Sequence, residues 1–236
     1  MARLARVVLS NIPHHVTQRG NGRARTFFSD ADYAFYRDLL AEHCRQNEIS
    51  ILGWCLMPNH VHLLLTPRES DGLRSALAKV HRAYAGHVHA REKRTGHFWQ
   101  GRFGCVALDE AHLIAAMAYG ALNPVRARLA KEADAWPWSA IHAYREPHDG
   151  DNVTDIAAVA PYRKAALAMI DAGVALAEED ERLSALRKGE TIGRPVGDKA
   201  FLEKAETLTG RTLRPKKRGR KTKKVSETAA KNALSP

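Results

Sequence analysis

The sequence of 236 residues predicts an α+β fold: a ferredoxin-like antiparallel sheet with helices covering one face, followed by a small helical appendage and a basic tail. Three observations carry this. Strand-like and helix-like segments follow the order strand, helix, strand, strand, helix, strand, helix, which is the split β-α-β order. Two of the strands are joined only by Met57-Pro58-Asn59, for which an antiparallel hairpin is the natural arrangement. Apolar residues in the two intervening helices recur at helical spacing, as helices lying on a sheet require.

Val7 to Thr17 is rich in apolar and β-branched residues and is closed by the glycine turn Arg19-Gly20-Asn21-Gly22, so a first strand ends near Gln18. Ser29 is an N-cap, and Tyr33, Tyr36, Leu39, Leu40 and Cys44 mark a helix from Asp30 to Asn47. Ile49 to Leu56 is a second strand, and the leucine-rich run from His60 to Leu65 is its hairpin partner. From Asp71 to Lys93, Leu73, Leu77, Val80, Tyr84 and Val88 form an apolar stripe, with Arg74, Lys79, Arg82 and Arg91 largely off it. His97 to Leu108 resumes extended character. A helix from Glu110 to Leu122 then turns Leu113, Ile114, Met117 and Ala121 to one side, and His112, Ala115, Ala116, Tyr119 and Asn123 to the other. Asn123-Pro124 reads as an N-cap followed by proline at a first helical position, which starts a new helix reaching Lys131. Trp136, Trp138 and Tyr144 are expected to pack back on this domain, residues 1–148.

Residues 149–190 form the appendage, alanine-rich and helical from Ile156 to Leu186. Residues 191–236 hold a turn-rich connector, a short helix from Lys199 to Leu208 and the tail. No internal repeat is present.

The net charge of +11 is unevenly spread: +5 over residues 1–150, −3 over 151–210 and +9 over 211–236. The run containing Lys216, Lys217 and Arg218 has the composition of a polyanion-binding arm, with a solvated tail as the plainer reading. No apolar run approaches the roughly eighteen residues of a membrane span. Cys44, Cys55 and Cys105 are odd in number and widely spaced, which fits a reducing cytosol and argues against a disulfide framework. The protein is therefore expected in the cytoplasm, associated with the nucleoid, with no membrane partner.

His60 and His62 begin the third strand, where residues two apart share a face. Two imidazoles on one rigid face make a half-site for a divalent cation; the plainer reading is a pair of half-buried strand histidines. His87 and His89 have the same spacing but fall in a helix, where such positions lie about 200° apart and cannot hold one ion. Asn123 is a candidate third ligand or the N-cap described above. Two imidazoles with an amide oxygen suit Mg²⁺ or Mn²⁺ near phosphate, with zinc less favoured. Tyr119 stands off the apolar stripe. A phenol is a poor nucleophile until its proton is removed or a metal polarises the phosphate under attack, and packing against small alanines is the alternative role.

Five ordered segments together resemble the REP-associated tyrosine transposases, of the single-tyrosine branch of the HUH endonuclease superfamily. They are His15 to Asn21, Pro58 to His62, Gly96 to Phe103, Tyr119 to Ala127, and the connector Gly193-Arg194-Pro195. The resemblance implies a ferredoxin-like sheet, a metal held by His60, His62 and Asn123, and Tyr119 as nucleophile. Insertion-sequence relatives typically carry glutamine where this chain has Asn123. The implied substrate is single-stranded hairpin DNA, here palindromic repeats, cleaved through a 5′-phosphotyrosine and rejoined to another 3′-hydroxyl without ATP. By the same resemblance Arg19 and Asn21 read a short sequence at the hairpin foot. Trp99 stacks on an unpaired base or serves as core packing, and Arg102 and Arg126 contact phosphates. A monomer is expected, with a homodimer as the alternative. A non-catalytic nucleic-acid-binding protein on the same fold is the rival reading, and a zinc hydrolase built on His60 and His62 a third.

Overall fold

A computed structural model describes residues 6–148, 151–174 and 181–213. Strands β1 (His14–Arg19), β2 (Ile49–Met57), β3 (His60–Pro67) and β4 (Gly104–Ala107) form one sheet in the order β2-β3-β1-β4, with every neighbouring pair antiparallel. Helix α1 (Asp30–Gln46) joins the first two strands and α2 (Gly72–Glu92) joins the last two, so the expected topology is observed. The β2–β3 hairpin pairs Met57 with His60 across its two-residue link.

Strand alternation sorts the sheet into two faces. Val16, Val61, Leu63 and Leu65 lie under the α1–α2 pair, whose Tyr36, Leu40, Leu73, Leu77, Val80 and Tyr84 are equally buried. This is the helix-covered face read from the sequence. The pair is locked at one end by Asp32. Its carboxylate accepts from the Phe28 and Ser29 amides at 2.8 and 3.2 Å and from the Arg91 guanidinium of α2. The opposite face carries His15, His60, His62 and Leu64, and α3 (Glu110–Arg126) lies across it.

Three local expectations are corrected. The first strand starts at His14 rather than Val7, because Asn11 takes a left-handed backbone with φ 58°. Val7 and Leu9 are buried instead against Ala107, Ala205 and Leu213. The fourth strand is confined to Gly104–Ala107. The aromatic run before it is a loop that follows the β1 turn, with Asn21 N–H donating to Phe98 O and Gln100 N–H to Arg19 O, both at 2.9 Å. Its apolar residues signalled packing rather than a ladder. Finally, α3 does not break at Asn123. It runs through Pro124, which sits in the last turn, where the missing N–H forfeits a single helical bond. Asn123 is therefore no N-cap, and Arg128, at φ 58°, ends the run where a further helix was expected.

Among its described residues the appendage is helical, as α5 (Ile156–Asp171) and α6 (Glu181–Ile192). Val159, Ala166, Ile170, Leu183 and Leu186 join the same buried cluster as the sheet residues. Between them in sequence and β1 stands α4 (Ile141–Arg145), whose Tyr144 donates its hydroxyl to Leu52 O at 2.9 Å, so the Trp136–Tyr144 segment packs back as expected. Both sheet edges are covered. Along β2, Leu56 N–H donates to Trp138 O and Ala140 N–H to Trp54 O, each at 2.9 Å. Along β4, the connector residue Val196 donates to Ala107 O at 2.8 Å and accepts from Asp109 N–H at 3.2 Å. Helix α7 (Lys199–Thr209) follows, close to the expected bounds. Lys216, Lys217 and Arg218 lie outside the described residues. Among the described residues no helix is long and apolar enough to cross a membrane.

Candidate active site

His60 opens β3 directly after the Pro58-Asn59 turn, and His62 follows on the same face, nearly fully buried. Their ring centroids are 4.9 Å apart and the planes steeply inclined. Each ring has its Nδ1 engaged from behind. Asn59 donates its amide nitrogen to Arg23 O at 3.1 Å, which turns its oxygen toward His60 Nδ1, 2.6 Å away. An amide oxygen only accepts, so His60 carries its proton on Nδ1 and leaves Nε2 bare. His62 Nδ1 lies 2.9 Å from His15 Nε2, and the two rings stack at 5.1 Å with planes 5° apart. His62 Nε2 is buried and has no hydrogen-bond partner.

The electrostatics match. Burial, aided by the charge of Arg19 and by His15, pulls the His60 pKa down to about 3. Burial first, then His15, His60, Arg19 and Arg126, holds His62 well below the ordinary histidine value. Neutral imidazoles with free Nε2 lone pairs are what a divalent cation binds. Among the described residues no group of three or more histidines, cysteines, aspartates and glutamates is placed to hold a metal. Asn123, the third ligand expected from the sequence, belongs to the helix that crosses this face. It is mostly buried on α3, one turn beyond Tyr119, and its Nδ2 has no partner. The oxygen and nitrogen of such an amide exchange by a simple flip.

Tyr119 presents its ring edge to His62 at 5.4 Å and to His15 at 6.4 Å. The Arg126 guanidinium stands 5.1 Å over the same ring, two turns along α3. Arg19 pairs with His60 across the β1–β3 ladder. The fold thus gathers His60, His62, Tyr119, Arg19 and Arg126 at one end of the sheet. The other expected residues are placed differently. Asn21 is an exposed turn residue, and Arg102 is exposed on the loop before β4. Trp99 packs against Phe98 and His81 at 4.8 and 5.1 Å and donates its indole N–H to His81 O at 3.0 Å, the packing role weighed from the sequence. His87 and His89 are apart, against Phe35 and Phe98 respectively. A groove of about 530 Å³ at the opposite end of the sheet, lined by Arg45, Glu48, Thr66 and Arg68 among others, holds none of the site residues.

Sequence reading missed His15 as part of the site. The available signal was alternation within the first strand, which puts His15, Thr17 and Arg19 on one face; which face waits on the β1–β3 register.

Residues 8–120 match the family model of the IS200-like transposases. Among solved structures the fold is similar to that of a REP-associated tyrosine transposase bound to a REP hairpin. The TM-score is 0.53 at 20% identity, covering 66% of this chain and 93% of that one. A putative transposase from Deinococcus radiodurans R1 is similar at 18% identity over 50% of this chain and 95% of its own, with a TM-score of 0.36. No curated protein matches the chain.

Proposed function

Because residues 8–120 match the family model of the IS200-like transposases, we propose that this chain is an HUH-type tyrosine nuclease and strand transferase. Its substrate is single-stranded hairpin DNA formed by palindromic repeats, and its cofactor Mg²⁺ or Mn²⁺. The observation that carries the reading is Tyr119, edge-on to His62 at 5.4 Å beneath a guanidinium.

His60 and His62 would hold the cation through Nε2, with Asn123 as the third protein ligand. Such an ion, when bound, polarises the scissile phosphate. Tyr119 then attacks phosphorus through its hydroxyl oxygen. The bond from phosphorus to the 3′-oxygen breaks, the phenolic proton is released, and the departing oxygen is protonated to a free 3′-hydroxyl. The 5′-phosphate remains on Tyr119. Attack by another 3′-hydroxyl reverses the step and frees the tyrosine, so the phosphodiester energy is conserved and no nucleotide is consumed. Arg126 and Arg19 act on charge. Arg126, over the ring face, and Arg19, beside His60, offset the charge gathering on the phosphate. Arg102, Asn21 and the tail residues Lys216, Lys217 and Arg218 are proposed to contact the DNA outside the reacting centre, and Trp99 to shape the loop they flank.

The hairpin partner of the structurally similar transposase supports this choice of substrate. A site complete within one chain supports action as a monomer. The test is a hairpin oligonucleotide incubated with full-length protein and Mn²⁺. A protein–DNA adduct surviving a denaturing gel is expected, and Tyr119→Phe should abolish it. An adduct undiminished in that variant would overturn Tyr119 as nucleophile, and tight hairpin binding with no cleavage under any divalent metal would make the protein a binding module.

A further inference from the structure

His15 and His62 are both buried, and they share one hydrogen bond, His15 Nε2 to His62 Nδ1 at 2.9 Å. Two neutral imidazoles sharing a bond hold one proton in it, and there are two ways to place it. If His15 donates, His62 must carry its own proton on Nε2, and that N–H would be buried with no acceptor, because Nε2 has no partner. If His62 donates, its Nε2 is a bare lone pair that a cation can complete, and the buried N–H moves to His15 Nδ1. Burial is even between the two placements, and the cation at Nε2 is what selects the second. Only the second arrangement makes His62 equivalent to His60, whose Nδ1–H is fixed by the Asn59 amide oxygen.

We infer that His15 is a positioning residue of the site: its Nε2 accepts the His62 Nδ1–H and thereby reserves His62 Nε2 for the metal. This rests on the proposed function, because the cation at Nε2 selects the tautomer; the tautomer is nevertheless measurable on the protein without DNA.

The geometry around the pair is compatible with the assignment. His15 lies diagonally across the β1–β3 ladder from His62, since Thr17 is opposite His62 and His15 opposite Leu64. The rings are nearly parallel, and the Tyr119 ring stands perpendicular to both. His62 is thus clamped in orientation as well as in tautomer. His14, next in the chain, is the internal control. It is equally buried, but its Nε2 accepts the Leu9 amide at 3.1 Å, and it takes no part in the site. The choice of acceptor also has an electrostatic logic. A carboxylate would orient His62 as well, but would place a negative charge behind the very ligand that a phosphodiester must approach. Asn59 and His15 orient both metal-facing rings while adding no net charge.

The test uses full-length protein without DNA. Long-range ¹H–¹⁵N correlations of the histidine side chains report the tautomer directly, and calorimetric titration with Mn²⁺ reports affinity. In the wild type His62 should appear as the Nδ1–H form. In His15→Phe, which keeps an aromatic ring but no acceptor, that form should be lost and Mn²⁺ affinity should fall roughly 10–100-fold. His15→Gln, whose amide oxygen can accept the same proton, should restore both to within a few-fold, a rescue that packing alone does not give. An Nε2–H tautomer in the wild type would overturn the inference, as would unchanged tautomer and affinity in His15→Phe. A wild type that shows the Nδ1–H tautomer but binds no divalent metal supports the role of His15 and sinks instead the metal-dependent function proposed above.

Discussion

His14 and His15 are neighbours in sequence and strangers in space. Alternation along β1 sends one to the amide of Leu9 and the other to the ring of His62. The spacing of His60 and His62 was legible because a strand face is a local property. The contribution of His15 was not, because it depends on a partner 47 residues away. A fourth buried ring, His81, belongs to the opposite layer, where its Nε2 lies 3.0 Å from the Tyr36 hydroxyl. Burial pulls its pKa down to about 3. The sign follows from linkage: as pH falls through about 6.5 the unfolded chain takes a proton on this ring that the folded chain refuses, so stability falls with pH down to about 3. The cost at pH 5 is on the order of 2 kcal/mol from this ring alone. His81→Gln keeps a polar partner for Tyr36, and urea denaturation should show its stability dropping less than the wild type between pH 7 and pH 5. Equal drops in the two proteins would remove His81 from the account.

At the level of elements, the β2–β3 hairpin fixes the site, because a slip of one residue would turn His60 and His62 to the α1–α2 side. The register irregularity between Ile51 and Gly53 lies in the same hairpin. Gly53 is required there by crowding rather than by backbone angle. A Cβ would come 2.2 Å from the Tyr144 hydroxyl and 3.3 Å from Leu64 Cδ1. Gly53→Ala should therefore lower stability by about 1–3 kcal/mol in chemical denaturation. Paired with Tyr144→Phe, the loss should be smaller than the sum of the two single losses, since the hydroxyl that collides is gone. Helix α3 is held at the angle that presents Tyr119 by Asp109. One oxygen of this carboxylate caps His112 N–H at 2.9 Å, and the other accepts the Asp198 amide of the connector at 2.8 Å. The Asn123-Pro124 pair misled the reading of this helix because the same dipeptide serves a helix start and, as here, a last turn. The difference is whether the preceding residues continue to pack, which Ala118, Tyr119 and Leu122 do.

At the scale of the whole molecule, both edges of the sheet are met by other parts of the chain. Trp138, Ala140 and Asp155 take up backbone groups along β2 and Val196 does so along β4, so among the described residues both edges are engaged within the chain. Tyr119 and His62 meet within one chain. Sedimentation velocity should accordingly find a monomer at micromolar concentration. A mixture of Tyr119→Phe and His62→Ala proteins should form no adduct beyond background, and recovery of cleavage in the mixture would show a site shared between chains. The charge division has its own place in this plan: helices α5 and α6 of the net-acidic stretch pack against α3, while Arg19 and Arg126 stand at the site.

By itself the sequence determined the order of elements, the hairpin and the shared face of His60 and His62. These are all consequences of periodicity and turn chemistry within about twenty residues. It also distinguished the strand pair from His87 and His89 by the same rule. Tyr119, in contrast, set off the apolar stripe by periodicity, is buried with the rest of α3. Only the tertiary structure decided which atom stands behind each imidazole, that Arg126 comes over Tyr119, and that Asn123 belongs to the interior of α3. The reason is physical: local pattern fixes the direction in which a side chain leaves the backbone, whereas its partner is set by strand register and helix packing between residues far apart in the chain.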